Sequence, residues 1–203
     1  MIELGLFPLP LVLLPTERVP LHIFEERYQE LIGECLDSGD EFGLVFADDE
    51  GIRDIGTRAR VTEVLARMAD GRMDILVEGG TRFRLLELTT GRSFHTGEVA
   101  PVEDDEDPAS PAAVERALGL FDRLRELTGS DVDVPGANAA QLSFALAGRI
   151  ELPPDDKLQL LREVSERKRV DLVCELLEHA IATARRVRGA AERAATNGRV
   201  HLE

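Results

Sequence analysis

Few side chains in this sequence are spaced for chemistry. The densest group is His22 with Glu25 and Glu26, three and four positions further on. A metal site needs several convergent histidine, thiolate or carboxylate ligands. Only one histidine is near, and a helix starting here would carry the two acids away from it. His22 is therefore read as a capping or packed histidine. His95, His179 and His201 are scattered and have no sequence partners. Two cysteines, Cys35 and Cys174, are too few for a disulfide framework or a four-thiolate zinc site. Cys35 lies on an apolar helical stripe, as a small core residue would. The only lysines are Lys157 and Lys168, beside 22 arginines, and neither follows a glycine. A phosphate-cradling G-x-x-x-x-G-K-[ST] loop is thus absent. So are the G-x-S-x-G nucleophile elbow and the H-E-x-x-H zinc pair. These residues imply no catalytic group, no metal and no cofactor.

Charge narrows the partners. The chain has 203 residues, with 24 Lys plus Arg against 39 Asp plus Glu, a net charge of −15. Such a surface repels phosphate backbones and anionic membranes, so nucleic acid is an unlikely ligand on charge grounds. The longest apolar stretch, Leu4 to Leu14, has 11 residues and is broken by Pro8 and Pro10. It is too short to span a bilayer. Glu3 and the lack of clustered positive charge argue against a signal peptide, which makes the cytoplasm the expected address. This stretch still holds more apolar residues than one strand face can bury. Leu6, Phe7, Leu11 and Leu13 are candidates for an exposed, peptide-binding patch. A strand buried on both faces is the other reading. Arg82-Phe83-Arg84 is read as a strand with its arginines exposed and Phe83 inward. Arg185, Arg186 and Arg188 sit at a helix C-terminus, where positive charge is stabilising.

The elements that would position these residues fall into two halves. Residues 1–102 are rich in Val, Ile, Leu, Phe and Gly. Residues 103–110 begin with five acids and Pro108, and read as a solvated linker. Residues 111–188 are helical in pattern, and 189–203 form a tail ending in Leu202-Glu203. In the first half, Leu9 to Leu14 reads as a strand. A helix over 24–38 places Phe24, Tyr28, Leu31, Ile32, Cys35 and Leu36 on one face, with Gly39 as its stop. Strands follow at 41–47, 82–86 and 94–102. Asp70-Gly71 predicts a two-residue hairpin turn. Met68 then pairs with Met73, Ala66 with Ile75, Val64 with Val77, and Arg67 falls opposite Asp74. Glu63 would oppose Glu78, so a bulge is expected at Gly79-Gly80. Phe24 and Phe83 are expected as buried anchors. In the second half, Ser110-Pro111 caps a helix, Pro135-Gly136 breaks the chain, and helices follow over 138–150, from 153, and over 166–187.

Several segments carry a family pattern. They are Phe7-Pro8-Leu9, then Val12-Leu13-Leu14-Pro15, then Val19-Pro20-Leu21-His22-Ile23-Phe24-Glu25-Glu26-Arg27-Tyr28. Asp70-Gly71-Arg72, Gly79-Gly80-Thr81-Arg82-Phe83-Arg84 and Leu158-Gln159-Leu160-Leu161 follow. In this order the chain resembles the N-terminal substrate-binding domain of Lon proteases over about residues 2–186. It looks most like the stand-alone bacterial proteins built from that domain alone. One departure is Glu26, where many members carry proline. The resemblance implies an α+β protein, a PUA-like pseudo-barrel β domain of six strands followed by an all-α helical subdomain. It also implies that the ATPase and the Ser-Lys peptidase of full Lon belong to domains missing here.

The expected function is a non-catalytic module that recognises protein or peptide segments. Clients would bury apolar residues in a groove between the two halves, which the acidic linker would let meet at a variable angle. A separate ATPase or protease is a possible further partner. The alternatives are an RNA-binding protein that uses the barrel, and an enzyme with an unrecognised site. With no ATP loop and no Ser-Lys pair, purified protein is expected neither to hydrolyse ATP nor to cleave casein. Turnover of either that survives removal of contaminants contradicts this.

Overall fold

The computed structural model describes residues 2–139 and 141–197. Six strands come first: β1 (Ile2–Leu9), β2 (Arg18–Ile23), β3 (Phe42–Asp48), β4 (Gly51–Arg67), β5 (Met73–Thr89) and β6 (His95–Pro101). One helix, α1 (Glu26–Ser38), lies among them. Helices α2 (Pro111–Thr128), α3 (Leu142–Ala147), α4 (Pro154–Arg162) and α5 (Glu166–Asn197) follow. The protein is α+β. The sheet runs β2-β5-β4-β3-β1-β6, and a further β5–β6 pairing closes β1, β3, β4, β5 and β6 into a ring. β1 pairs with β3 in parallel, and the other pairs are antiparallel. The 17-residue strand β5 makes closure possible. Its first half carries β2, its second half carries β6, and β4 runs along most of it.

The turn between the two halves of β5 depends on Gly79-Gly80. Between the pairs Thr57–Arg82 and Ala59–Gly79 the register shifts, so the expected bulge is present. Gly79 has a second reason to be glycine. A Cβ there would lie 2.1 Å from the carbonyl oxygen of Leu14. The chain at 14–17 docks here, with Thr16 N–H donating to the Gly79 carbonyl (2.8 Å) and Gly79 N–H to the Glu17 carbonyl (2.9 Å).

The hairpin register differs from the expectation. Arg67 pairs with Met73, Ala66 with Asp74, Val64 with Ile75, and Val61 with Val77. Met68 is in the loop, where its N–H donates to the Arg72 carbonyl at 2.8 Å. Gly71 N–H donates back to the Met68 carbonyl at 3.2 Å, and Gly71 alone has positive φ (89°). A type I turn followed by one left-handed glycine spares Asp70 the positive φ that a two-residue turn demands. The changed register also removes the Glu63–Glu78 clash. Glu63 faces Leu76, and Glu78 pairs with Arg18 at 2.6 Å.

Three further expectations are corrected. Leu9–Leu14 is not a strand: β1 lies earlier and ends before Pro10, which has no N–H for a ladder. Phe24 is 61% exposed, because the chain leaves β2 there and α1 begins only at Glu26. Phe83, in contrast, is fully buried, among Leu4, Leu6, Val45 and Val99. His22 neither caps nor packs: on the outer face of β2, its Nδ1 lies 2.6 Å from Asp74 Oδ1. Its ring stacks on Phe24.

In the second half, Ser110 caps α2 as expected, its Oγ accepting from Ala113 N–H. α3 is much shorter than 138–150. α5 continues through the expected tail to Asn197, and Leu202-Glu203 lie outside the described residues. One core lies beneath α1, with Phe7, Ile23, Tyr28, Ile32, Phe42 and Ile75. A second core belongs to both halves, with Val12, Leu14, Phe46 and Ile55 packing among helical residues such as Phe121, Phe144 and Leu160. Truncating Phe83 to Ala should lower stability by about 3–5 kcal/mol, as large-to-small core changes do. Phe24→Ala should change it by less than about 0.5 kcal/mol. Urea unfolding of both variants checks this pair of outcomes.

Candidate functional site

The helical half is positioned by a buried charge cluster. Arg82 follows the glycine bulge on β5 and is only 3% exposed, so the expected exposed arginine is overturned. Its Nη1 donates to the carbonyls of Leu161 (2.7 Å) and Glu163 (2.8 Å), at the end of α4. Its Nη2 donates to Asp104 Oδ1. Arg169, fully buried on α5, grips the same carboxylate with both terminal nitrogens, at 2.6 and 2.7 Å. Arg169 also pairs with Glu166 at 2.7 Å and donates from Nε to Ser143 Oγ at 3.1 Å. The Phe144 ring packs against both guanidinium groups, 4.5 Å from Arg169 and 5.3 Å from Arg82. Two cations thus meet two carboxylates, and Asp104 sits between one arginine from each half.

The linker is exposed along 103–106, but two of its acids are tied to the helical half. Asp104 belongs to the cluster, and Asp107 accepts from Ser165 Oγ at 2.6 Å. A second tie lies across the junction, where Lys157 Nζ donates to Glu17 Oε1 (2.5 Å) and to the Val12 carbonyl (3.3 Å). With the shared core, these contacts join the halves, and the cleft of about 500 Å³ that both halves line, at Thr16, Glu17, Arg18, Glu78, Gly148 and Arg149, is polar. Burial alone would raise the Asp104 pKa. The hydrogen bonds and charges of Arg169 and Arg82 outweigh it and hold the carboxyl below its ordinary range.

The apolar groove lies instead within the helical half. α2 supplies Phe121 and Leu124, α5 supplies Leu176, Ala180 and Ala184, and the segment before α4 supplies Leu152. The groove encloses about 570 Å³, within the range of about 300–1,000 Å³ usual for ligand sites. Arg125, Arg149 and His179 stand at its edges. Arg125 Nη1 donates to Asp122, while its buried Nε has no acceptor among the described residues.

The expected peptide-binding residues are elsewhere. Leu6, Phe7 and Leu13 are buried and Leu11 is half-buried against the barrel core. β1 lies between β3 and β6, with its side chains divided between two cores, which is the doubly buried reading. Pro20 is exposed on β2 and Tyr28 is buried, its ring 4.1 Å from that of Phe7. The groove residues Leu124, Leu176, Ala180 and Ala184 are apolar positions at helical spacing, which in a sequence looks the same as a core stripe. Among the described residues, no His, Cys, Asp or Glu group is arranged to hold a metal. No described helix is long and apolar enough to cross a membrane.

The family described as the ATP-dependent protease La (LON) substrate-binding domain matches residues 3–179. The chain belongs to this family. It is 26% identical over 183 residues to the Lon protease of Anaeromyxobacter dehalogenans, covering 82% of this chain and 22% of that protein. It is 24% identical over 205 residues to the Lon protease of Paraburkholderia phytofirmans, covering 87% and 25%. The chain thus spans about a quarter or less of these curated relatives. The crystal structure of a Lon N-terminal domain protein from Xanthomonas campestris superposes with a TM-score of 0.68 at 28% identity, covering 84% of this chain and 96% of that one. The N-terminal domain of a Mycobacterium avium complex Lon protease shares the fold, with a TM-score of 0.65 at 17% identity and coverages of 87% and 98%.

Within this Lon-domain fold, the charge cluster makes a pH prediction. The folded pKa of Asp104 lies below its unfolded value, so its contribution is fully present above the unfolded value, about 4. It is lost as pH falls through the folded pKa. Asp104→Asn should cost about 3 kcal/mol at pH 7, because both arginines lose their shared partner. The loss should shrink as pH falls below about 4, where the wild-type carboxyl protonates too. Urea midpoints across pH check the direction.

Proposed function

We propose that this Lon-type domain is a non-catalytic module that captures protein segments bearing apolar side chains, and that the α2–α5 groove is where it does so. The observation that carries this reading is the groove itself, whose floor is apolar and whose edges hold arginine donors. An incoming segment would bury its apolar side chains against Phe121, Leu152 and Leu176. Its carbonyl oxygens would meet guanidinium donors of Arg125 and Arg149. Burial of apolar surface supplies most of the affinity, and the polar edge sets the orientation. The family description supports substrate binding. We read the domain as acting by binding alone, with a separate ATPase or protease as the partner that would process its clients.

The test is titration of a permanently unfolded, fluorescently labelled model protein into the full chain. Binding should change little between low and high salt, since apolar contacts are hardly screened. It should show a negative heat-capacity change. Ala184→Glu, which places a charge on the half-buried groove wall, should weaken binding at least about tenfold (about 1.4 kcal/mol) with the melting temperature little changed. Unaltered binding by Ala184→Glu contradicts the groove as the site. Loss of binding at high salt contradicts the mechanism.

A further inference from the structure

A second cavity, of about 650 Å³, opens in the β half between β1, the end of α1, β4 and the start of β6. Its floor is apolar: Leu4, Leu31, Cys35 and Phe94 line it and are buried. The Cys35 thiol belongs to that floor. Burial, with Asp40 and Glu34 nearby, pushes its pKa up to about 11, so it stays protonated and unreactive at neutral pH.

The rim is charged, and most of the charge is already matched. Arg60 Nη2 donates to Glu41 at 3.1 Å. Arg92 pairs with Glu34 and, at 3.6 Å, with Glu30. Glu3 accepts from Thr89 Oγ1 at 2.9 Å. Two groups remain. Arg58 is half-buried on β4 and has no hydrogen bond or ion pair among the described residues. The carboxylate of Asp40, exposed just beyond the Gly39 cap of α1, likewise has none, and no ion pair joins the two. The Arg58 guanidinium thus has no protein acceptor and leaves its donors to solvent or to a ligand. A simple anion would satisfy Arg58 but face Asp40 and Glu3. A simple cation would face Arg58. A net-neutral ligand with one charge of each sign and an apolar body meets every feature of the cavity.

We propose that this cavity binds a short peptide with free termini. Its carboxylate pairs with Arg58, its ammonium group with Asp40, and its apolar side chains lie on Leu31 and Phe94. An extended dipeptide carries its two charges at opposite ends, so one molecule can address two rim groups that form no ion pair with each other. The site shares no lining residue with the α2–α5 groove, so it stands or falls separately from the function proposed above.

The experiment is a titration of the full chain, followed by amide chemical shifts, with three probes: Leu-Leu, N-acetyl-Leu-Leu and Leu-Leu amide. Leu-Leu should bind saturably and shift amides around residues 4, 31, 40, 58 and 94. Each capped probe should bind about tenfold more weakly, since each loses one charge-assisted pair. Arg58→Met should remove the penalty for amidation and keep that for acetylation. Asp40→Asn, at an exposed position that leaves the fold intact, should do the reverse. No saturable binding of Leu-Leu, equal binding of the capped probes, or shifts confined to α2 and α5 would each overturn the proposal.

Discussion

Asp104 holds the two halves of this molecule together. Its carboxylate lies between Arg82, at the point where β5 turns past the glycine bulge, and Arg169, near the start of α5. Removing two guanidinium groups and a carboxylate from water is costly, and only near-complete hydrogen bonding offsets it. That bonding is supplied here. Arg82 also donates to the carbonyls of Leu161 and Glu163 where α4 ends, among the groups a helix terminus leaves without intrahelical partners. Arg169 reaches Glu166, Ser143 and the Glu163 carbonyl as well. Lysine could not substitute at either position, because one site needs a bidentate fork and the other a planar cation against Phe144. The bulge aims Arg82, Arg82 fixes the α4–α5 junction, and the junction sets the course of α5 beside α2. The groove between α2 and α5 therefore depends on contacts made by a β-strand some distance away.

This connectivity explains which parts were legible in the sequence. Local signals that act within one element read correctly: the apolar stripe of α1, the Ser110 cap of α2, the Gly79-Gly80 bulge, and the family pattern spread along the chain. Signals whose meaning depends on a distant partner did not. Asp104 is one of five neighbouring acids, and nothing in 103–107 marks it as the one that turns inward. Arg82 looks like any arginine on an alternating strand until α5 is brought against it. The hairpin register failed for a local reason, since Asp-Gly is compatible with either a two-residue turn or a longer one with a single left-handed glycine. Leu6 and Phe7 were misplaced because a strand enclosed on both faces has the composition of an exposed apolar patch, and Leu13, beyond the end of β1, is buried in the same core as Phe7.

Rigidity at the junction changes how the domain would handle a client. A hinged pair of halves would adapt its cleft to each segment. Here a common core and ion pairs at Asp104, Glu17–Lys157 and Asp54–Arg162 cross the junction. Selectivity would then come from a preformed groove within one half, where little ordering is needed on binding and affinity is retained. The net charge of −15 is spread over the surface, while arginines with vacant donors stand at the groove edge and in the β-half cavity. Guanidinium donors thus stand beside acids in both cavities, with Glu151 and Asp156 in the groove and Glu3, Glu34, Asp40 and Glu41 in the other.

Native-state hydrogen exchange read by mass spectrometry, at increasing low denaturant, tests most directly whether the two halves form one cooperative unit. Amides of β5 and of α5 should lose their slowest protection together, at one free energy equal to that of global unfolding. Protection of α2 and α5 that collapses well before that of β5 would show the helical half opening by itself, and would contradict the role given to Asp104.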